Sequence, residues 1–203
     1  MPTLLHLNAS PRGAASSSYS AGLATIAHIR RDTQPLHIIE RQLGVAPLPH
    51  IDAAWTAASL MLETERGEPE QNILALSEQL IGELETADMV LISTPMHNYT
   101  VPATLKTWID YVVRPNRTFR PSPEGKIGAL TNRPVRIILS SGGPLESPST
   151  WQPDFVTPYL RHIFGTLGVH DVDVIKLDKM NRGPADVAAS RERFQRWLAD
   201  FRF

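Results

Sequence analysis

Short apolar runs recur along the chain, each feeding a polar turn and then a stretch with helical spacing, and this alternation predicts the elements. Leu4 to Leu7, Leu36 to Ile39, Met89 to Ser93, Val135 to Leu139 and Val172 to Leu177 read as five strands. Between them lie helical segments. Ala21 to Arg31 carries Leu23, Ile26 and Ala27. Glu70 to Thr86 carries Ile73, Leu76, Leu80, Ile81 and Leu84 on one face. Ala103 to Val113 points Leu105, Trp108, Ile109 and Val112 inward. Ala53 to Glu65, Phe155 to Leu167 and Pro184 to Phe203 are further helices. Pro69 and Pro102 stand where helices begin, since a first-turn proline loses no intrahelical bond, and Gly168 stands where a left-handed residue ends one. Pro115 to Asn132 is an excursion, a loop or a short hairpin. Pro144 to Pro153 is polar, with no obvious regular structure.

Strands buried on both faces read as continuous apolar runs, and strands alternating with helices make parallel βαβ units. The expected fold is therefore α/β: a flavodoxin-like, doubly wound, five-stranded parallel sheet of order 2-1-3-4-5 with helices on both faces. Neither an internal repeat nor a linker interrupts it, so residues 1–203 are expected to form one domain.

In open α/β sheets, ligands sit outside the carboxyl ends of the strands. Three loops at such ends stand out. The first runs from Asn8 through Ser10, Arg12, Ser16, Ser17, Ser18 and Ser20 into a helix. Hydroxyls beside a helix N-terminus form a phosphate cradle. It has neither the Gly-Lys-Ser/Thr of a nucleoside triphosphate loop nor the glycine spacing of a dinucleotide fingerprint, so a terminal monophosphate, as on FMN, fits better than a pyrophosphate. An ordinary N-cap in a serine-rich turn is the plainer reading. The second loop, Met96-His97-Asn98-Tyr99, offers an amide, backbone N–H groups and apolar or stacking surface to a flat heteroaromatic edge. Met96 and Tyr99 would equally fill core space. His97 is a conceivable general acid, but a lone histidine is more commonly a surface residue, and no catalytic side chain is assigned. The third loop, Ser140-Ser141-Gly142-Gly143, joins hydroxyls to glycines that let backbone approach a ligand.

Composition narrows the chemistry. A formal net charge of -1 gives no basic excess for nucleic acid or anionic membrane. With 0 cysteines there is no thiolate metal site and no thiol redox chemistry, so redox activity would need a bound cofactor. Met1-Pro2-Thr3 does not open a signal peptide, and no apolar run reaches the ~20 residues of a membrane span, so a soluble cytoplasmic protein is expected.

The loops, together with Pro102 to Lys106, Thr118-Phe119 and Val156-Thr157-Pro158-Tyr159-Leu160, resemble the FMN-dependent NADH-azoreductases, also called FMN-dependent NADH:quinone oxidoreductases, over essentially the whole chain. The resemblance implies phosphate contacts at Ser10, Ser16, Ser17 and Ser18. It implies flavin-ring contacts at Met96, His97, Asn98 and Tyr99 and at Ser140, Ser141, Gly142 and Gly143. It also implies FMN as tightly bound cofactor, NADH or NADPH as donor, quinones or azo compounds as acceptors, ping-pong turnover, no metal, and a homodimer with flavin sites at the subunit interface. Ser141, the Pro144-Leu145 pair and Pro121 depart from the family's usual Arg, His and aromatic residue, and these changes bear on nicotinamide preference and substrate range. Two other readings compete. One is a non-catalytic flavodoxin-like electron carrier, although this chain lacks a flavodoxin's strong acidity. The other is a phosphodiesterase-type hydrolase, although the 7 histidines are scattered and there is no Gly-x-Ser-x-Gly elbow. Trp55, Leu60, Met61, Phe119 and Trp151 lie in or near segments beyond the minimal fold, where large apolar side chains cover a partner, a ligand or their own chain.

Overall fold

The computed structural model describes residues 1–145 and 152–203; Trp151 and most of the Pro144 to Pro153 stretch lie outside the described residues. The strands are β1 (Thr3–Asn8), β2 (His37–Arg41), β3 (Met89–Pro95), β4 (Phe119–Ser122), β5 (Gly125–Gly128), β6 (Val135–Ser140) and β7 (Val172–Leu177). Five of them form a parallel sheet of order β2-β1-β3-β6-β7. This is the expected 2-1-3-4-5 order, because the excursion contains the antiparallel hairpin β4-β5, which stands apart from the sheet.

The helices are α1 (Ser17–Asp32), α2 (Ala53–Leu60), α3 (Glu68–Thr86), α4 (Ala103–Val112), α5 (Val156–Leu167) and α6 (Pro184–Asp200). Alternate strand residues feed two cores. Leu5, Leu7, Val90, Ile92, Ile137 and Leu139 join the α3, α4 and α5 side chains Leu80, Leu84, Leu105, Trp108, Leu160 and Phe164. Leu4, Met89, Leu91 and Ile138 join Ile26 and Ile29 of α1 and Phe194 and Leu198 of α6. Both sheet faces are thus covered, which is why the strands read as unbroken apolar runs.

Several helix expectations shift. The buried stripe of α1 is Ala21, Gly22, Thr25, Ile26 and Ile29, while Leu23 and Ala27 face outward. Gly22 sits where a Cβ would strike Ser93 Oγ and come within 2.9 Å of His6 Nε2, so α1 lies against β1 and β3 closer than any side chain allows. On α3 the inward set is Leu74, Ser77, Leu80, Ile81 and Leu84; Ile73 is 39% exposed. The segment after α2 breaks into a separate 3-10 turn, Glu63–Glu65, and Arg66 closes the end of α2 by donating from Nε to the Ala58 carbonyl at 3.1 Å and from Nη2 to that of Met61 at 2.7 Å. The last helix stops at Asp200. Gly168 does end α5, at φ 95°. No helix among the described residues is long and apolar enough to cross a membrane.

Trp55 is buried edge-on against Tyr111, 5.4 Å between ring centroids. Phe119 is buried too, with Lys126 Nζ 4.7 Å from its ring centroid. Met61 is half-buried, and Leu60 is 69% exposed.

Candidate functional site

The three loops leave the carboxyl ends of β1, β3 and β6, which are neighbours in the sheet. Asn8 pairs with Ser93 and Pro95 with Ser140. The ladder continues into the loops, with Ala9 N donating to the Ser93 carbonyl at 2.9 Å and Met96 N to the Ser140 carbonyl at 2.8 Å. All twelve expected site residues therefore lie on one edge of the sheet or at the start of α1.

At the first loop, Asn8 Oδ1 accepts from Ser10 N at 3.1 Å, and Ser10 Oγ accepts from Arg12 N at 3.3 Å, two side-chain turns that fold the segment back. Ser16 caps α1, its Oγ accepting from Tyr19 N at 3.3 Å. The helix thus starts four residues earlier than Ala21, and Ser17, Ser18 and Ser20 belong to its first turns rather than to a loop. Ser10, Ser16 and Ser18 are buried and Ser17 is half-buried. Ser16 Oγ and Ser18 Oγ are 3.2 Å apart. First-turn N–H groups have no carbonyl partner within a helix, and the dipole makes that end positive, so this turn presents donors to an anion. A cavity of about 370 Å³ lies beside it between α1 and α6, reaching Ser16, Ser17, Met180 and Arg191 but none of Met96 to Tyr99 or Ser140 to Gly143.

The second loop is a tight turn. His97 N donates to the Thr100 carbonyl at 2.9 Å and Thr100 N to that of His97 at 3.1 Å. The two central residues, Asn98 and Tyr99, both have positive φ, 46° and 75°. That is the signature of a type I′ turn, which Asn adopts readily and a bulky Tyr rarely. Holding Tyr99 left-handed costs about 1–2 kcal/mol. Strain of this kind concentrates at ligand clamps. The turn leaves His97, Asn98 and Tyr99 exposed at the rim, with Met96 half-buried beneath.

The third loop is clasped by the turn after β7. Lys179 N donates to the Gly143 carbonyl at 3.0 Å, Met180 N to that of Ser141 at 3.0 Å and Asn181 N to that of Gly142 at 3.3 Å, while Ser141 N donates to the Leu177 carbonyl at 3.0 Å. The loop's carbonyls thus face the clasp, and among the described residues the N–H groups of Gly142 and Gly143 have no backbone acceptor. Both glycines leave room for a neighbouring amide side chain. A Cβ at Gly142 would come within 2.7 Å of Asn181 Nδ2, and one at Gly143 would collide with Gln152 Oε1. Asp178 holds the loop's exit by accepting from Leu145 N at 3.1 Å and pairing with Arg193.

Gln152 belongs to this group although no sequence signal singled it out. Its Nε2 donates to Ser141 Oγ at 2.7 Å and to Met96 Sδ at 3.1 Å, joining the second and third loops. Two residues on, Asp154 accepts from Val156 N and Thr157 N, both at 2.9 Å, and pairs with Lys176 Nζ of β7 at 3.1 Å. Burial alone would push the Asp154 carboxyl up, but the Thr157 hydrogen bonds and the Lys176 ion pair outweigh it and hold the group below the usual carboxylate range. The chain two residues beyond Gln152 is thereby tied to β7.

The arrangement can grip an anion at α1 and present donors, a thioether and an exposed phenol to a flat ring beside it. A family described as "Flavodoxin-like fold" matches residues 2–201. The chain is similar to FMN-dependent NADH:quinone oxidoreductase 2 of Cupriavidus pinatubonensis, 52% identical over 97% of this chain and 96% of that one. It is similar also to FMN-dependent NADH:quinone oxidoreductase 4 of Pseudomonas fluorescens, 44% identical over 94% and 90%. Among solved structures it resembles an azoreductase from Bacillus anthracis, with a TM-score of 0.86 at 22% identity over 99% of this chain and 100% of that one. It also resembles an FMN-dependent NADH-azoreductase of that organism in complex with FMN, at 0.84 and 20% identity over 98% of each chain. At these identities the structures establish a shared fold.

Proposed function

The chain belongs to the FMN-dependent NADH:quinone oxidoreductases of the flavodoxin-like fold, and from that membership we propose that its three carboxyl-end loops hold one FMN per chain in a single crevice. The protein is an FMN-dependent enzyme that uses NADH to reduce quinones. The observation that carries the assignment of its site is the pairing of a buried hydroxyl cluster, Ser16 with Ser18, at a helix N-terminus with a glycine loop whose carbonyls are already engaged. The first suits a phosphate dianion and the second the electron-rich edge of a reduced ring.

Bound FMN supplies the hydride chemistry, so the chain's residues bind, orient and stabilise. Ser10, Ser16, Ser17 and Ser18 would take the phosphate. Met96 to Tyr99 would frame one side of the ring, and Ser140 to Gly143 the other, with Gly142 and Gly143 N–H groups stabilising negative charge. No side chain of the crevice is required as nucleophile or base. A ring held by these loops with one face open would admit one planar partner at a time, so donor and acceptor would alternate and turnover would be ping-pong. An azo compound is flat and accepts electrons at the same face, which supports azo reduction as a second activity.

The same reading takes residues 1–203 as one flavodoxin-like domain acting as a cytoplasmic homodimer with the flavin near the subunit interface. The exposed Leu60 and Leu62 at the end of α2 supply apolar surface for that contact. NADH, a cytoplasmic reductant, supports the location. Relatives named as oxidoreductases over nearly the whole chain favour this function over the electron-carrier and phosphodiesterase readings.

Anaerobic stopped-flow mixing tests the proposal. NADH without acceptor should bleach the flavin band, a quinone should then restore it, and initial-rate plots should give parallel lines. A flavin band that NADH leaves unchanged would sink the proposed site, and intersecting lines would sink the alternating mechanism.

A further inference from the structure

We propose that Gln152 is a positioning residue that sets the direction of the Ser141 hydroxyl and, through it, the electron affinity of the bound flavin; this rests on the flavin reading of the crevice. Gln152 touches three of the expected ring contacts at once. Its Nε2 donates to Ser141 Oγ at 2.7 Å and Met96 Sδ at 3.1 Å, and its Oε1 lies where a Gly143 side chain would begin. Gly143 and Gln152 are a matched pair, the glycine leaving room that the amide occupies.

A hydroxyl has one hydrogen and two lone pairs. Because Ser141 Oγ accepts from Gln152, its own hydrogen points away from Gln152. Ser141 is buried, its backbone N–H is bonded to the Leu177 carbonyl and its carbonyl accepts from Met180, so among the described residues the side chain is the group it has left to offer. The hydroxyl is therefore set as a donor, adding to the Gly142 and Gly143 N–H groups. Donors fixed in place ahead of reaction favour the more electron-rich state of whatever they face. Two residues beyond Gln152, Asp154 pairs with Lys176 of β7 at 3.1 Å and anchors the chain close by.

The experiment uses the full-length holoenzyme and reads the midpoint potential of bound FMN, together with FMN affinity of the apoprotein. Gln152→Leu keeps the bulk and removes the donor. It should weaken the preference for reduced over oxidised flavin about tenfold, a fall of about 30 mV for a two-electron couple. Ser141→Ala should cause a similar fall, and adding Gln152→Leu to it should cause no further one, because residues acting through one group do not add. Gln152→Glu would accept the Ser141 hydrogen and turn the hydroxyl round, so it should lower the potential further than Gln152→Leu. An unchanged potential in Gln152→Leu, or equal additional falls in the presence and absence of Ser141, would overturn the proposal. Wild-type protein that takes up no FMN would instead overturn the flavin reading, so the two failures are told apart.

Discussion

His6 Nε2 lies 2.9 Å from Ser93 Oγ across the β1–β3 junction, directly under Gly22 of α1. The ring is fully buried and stacks on Tyr19 at 5.9 Å. Burial pushes its pKa down from 6.5 to about 4. Glu40 Oε1 pulls the other way from 3.5 Å, but it is 40% exposed and too distant for a good hydrogen bond to Nδ1, so burial wins. The folded state therefore holds His6 neutral where the unfolded chain has begun to protonate. Between pH 6.5 and about 4 the unfolded state binds more protons, and stability falls as pH falls. The expected loss from this group is roughly 3 kcal/mol across that window, levelling off below it. Urea unfolding at stepped pH should show this slope in the wild type and a flatter one in His6→Gln, which can still bond Ser93. Parallel curves would refute it.

Gly22→Ala should destabilise. In an exposed helix interior this change gains about 1 kcal/mol. Here the new methyl would strike Ser93 Oγ and His6 Nε2. Both partners are buried and bonded to each other, so neither yields easily, and overpacking of this kind costs about 1–3 kcal/mol. The thermal midpoint should drop, and a rise would mean that α1 can lift off the sheet.

Ser18→Ala should weaken FMN binding. Ser18 Oγ lies 3.2 Å from Ser16 Oγ, so the change removes one hydroxyl of the proposed phosphate cluster and leaves the other without its partner. A hydrogen bond to a charged group is worth about 1.5–3 kcal/mol, or roughly 10- to 150-fold in dissociation constant. Flavin fluorescence quenching on titration of apoprotein gives the value. Ser16→Ala should also lower helix stability, by about 0.5–2 kcal/mol, since Ser16 caps α1. Cofactor released by heat should be FMN; recovery of FAD would contradict the phosphate assignment.

Tyr99→Gly should stabilise the fold and harm the enzyme. Glycine removes the left-handed penalty at φ 75°, about 1–2 kcal/mol, offset in part by its greater unfolded freedom. The exposed ring is lost with it, so flavin affinity or the rate of bleaching by NADH should fall. Asn98→Ala should lower one of these as well. His97→Ala should retain turnover, because the exposed His97 is held in the turn through its backbone bonds to Thr100. Abolished turnover in His97→Ala would give that ring a catalytic part.

Sedimentation at micromolar concentration should show a dimer, and Leu60→Asp with Leu62→Asp should shift it toward monomer. These side chains are 69% and 56% exposed on one chain, whereas Trp55 is already packed on Tyr111 and should tolerate the dissociated state. Monomer alone in the wild type would contradict the interface.

The sheet, its order and the edge where the loops gather are legible in the amino-acid sequence. Those follow from local period and from the rule that parallel strands need crossover helices. Val172–Leu177 is found with the expected bounds, and Gly168 ends α5 in the left-handed conformation, because both depend on near neighbours. Long-range packing sets the rest. Leu23 and Ile73 turn outward because the close approach of α1 at Gly22, and of α3 through Leu74 and Ser77, sets which stripe meets the sheet. The serines enter α1 because Ser16 finds Tyr19 N to cap. Gln152 could not be seen at all. It meets Met96 across 56 residues of chain, in a stretch with no periodicity, and its partners Met96 and Ser141 lie on two other loops. Period and propensity report what a residue's neighbours in sequence favour; which side chain faces a ligand is fixed by contacts that exist only once distant segments have packed.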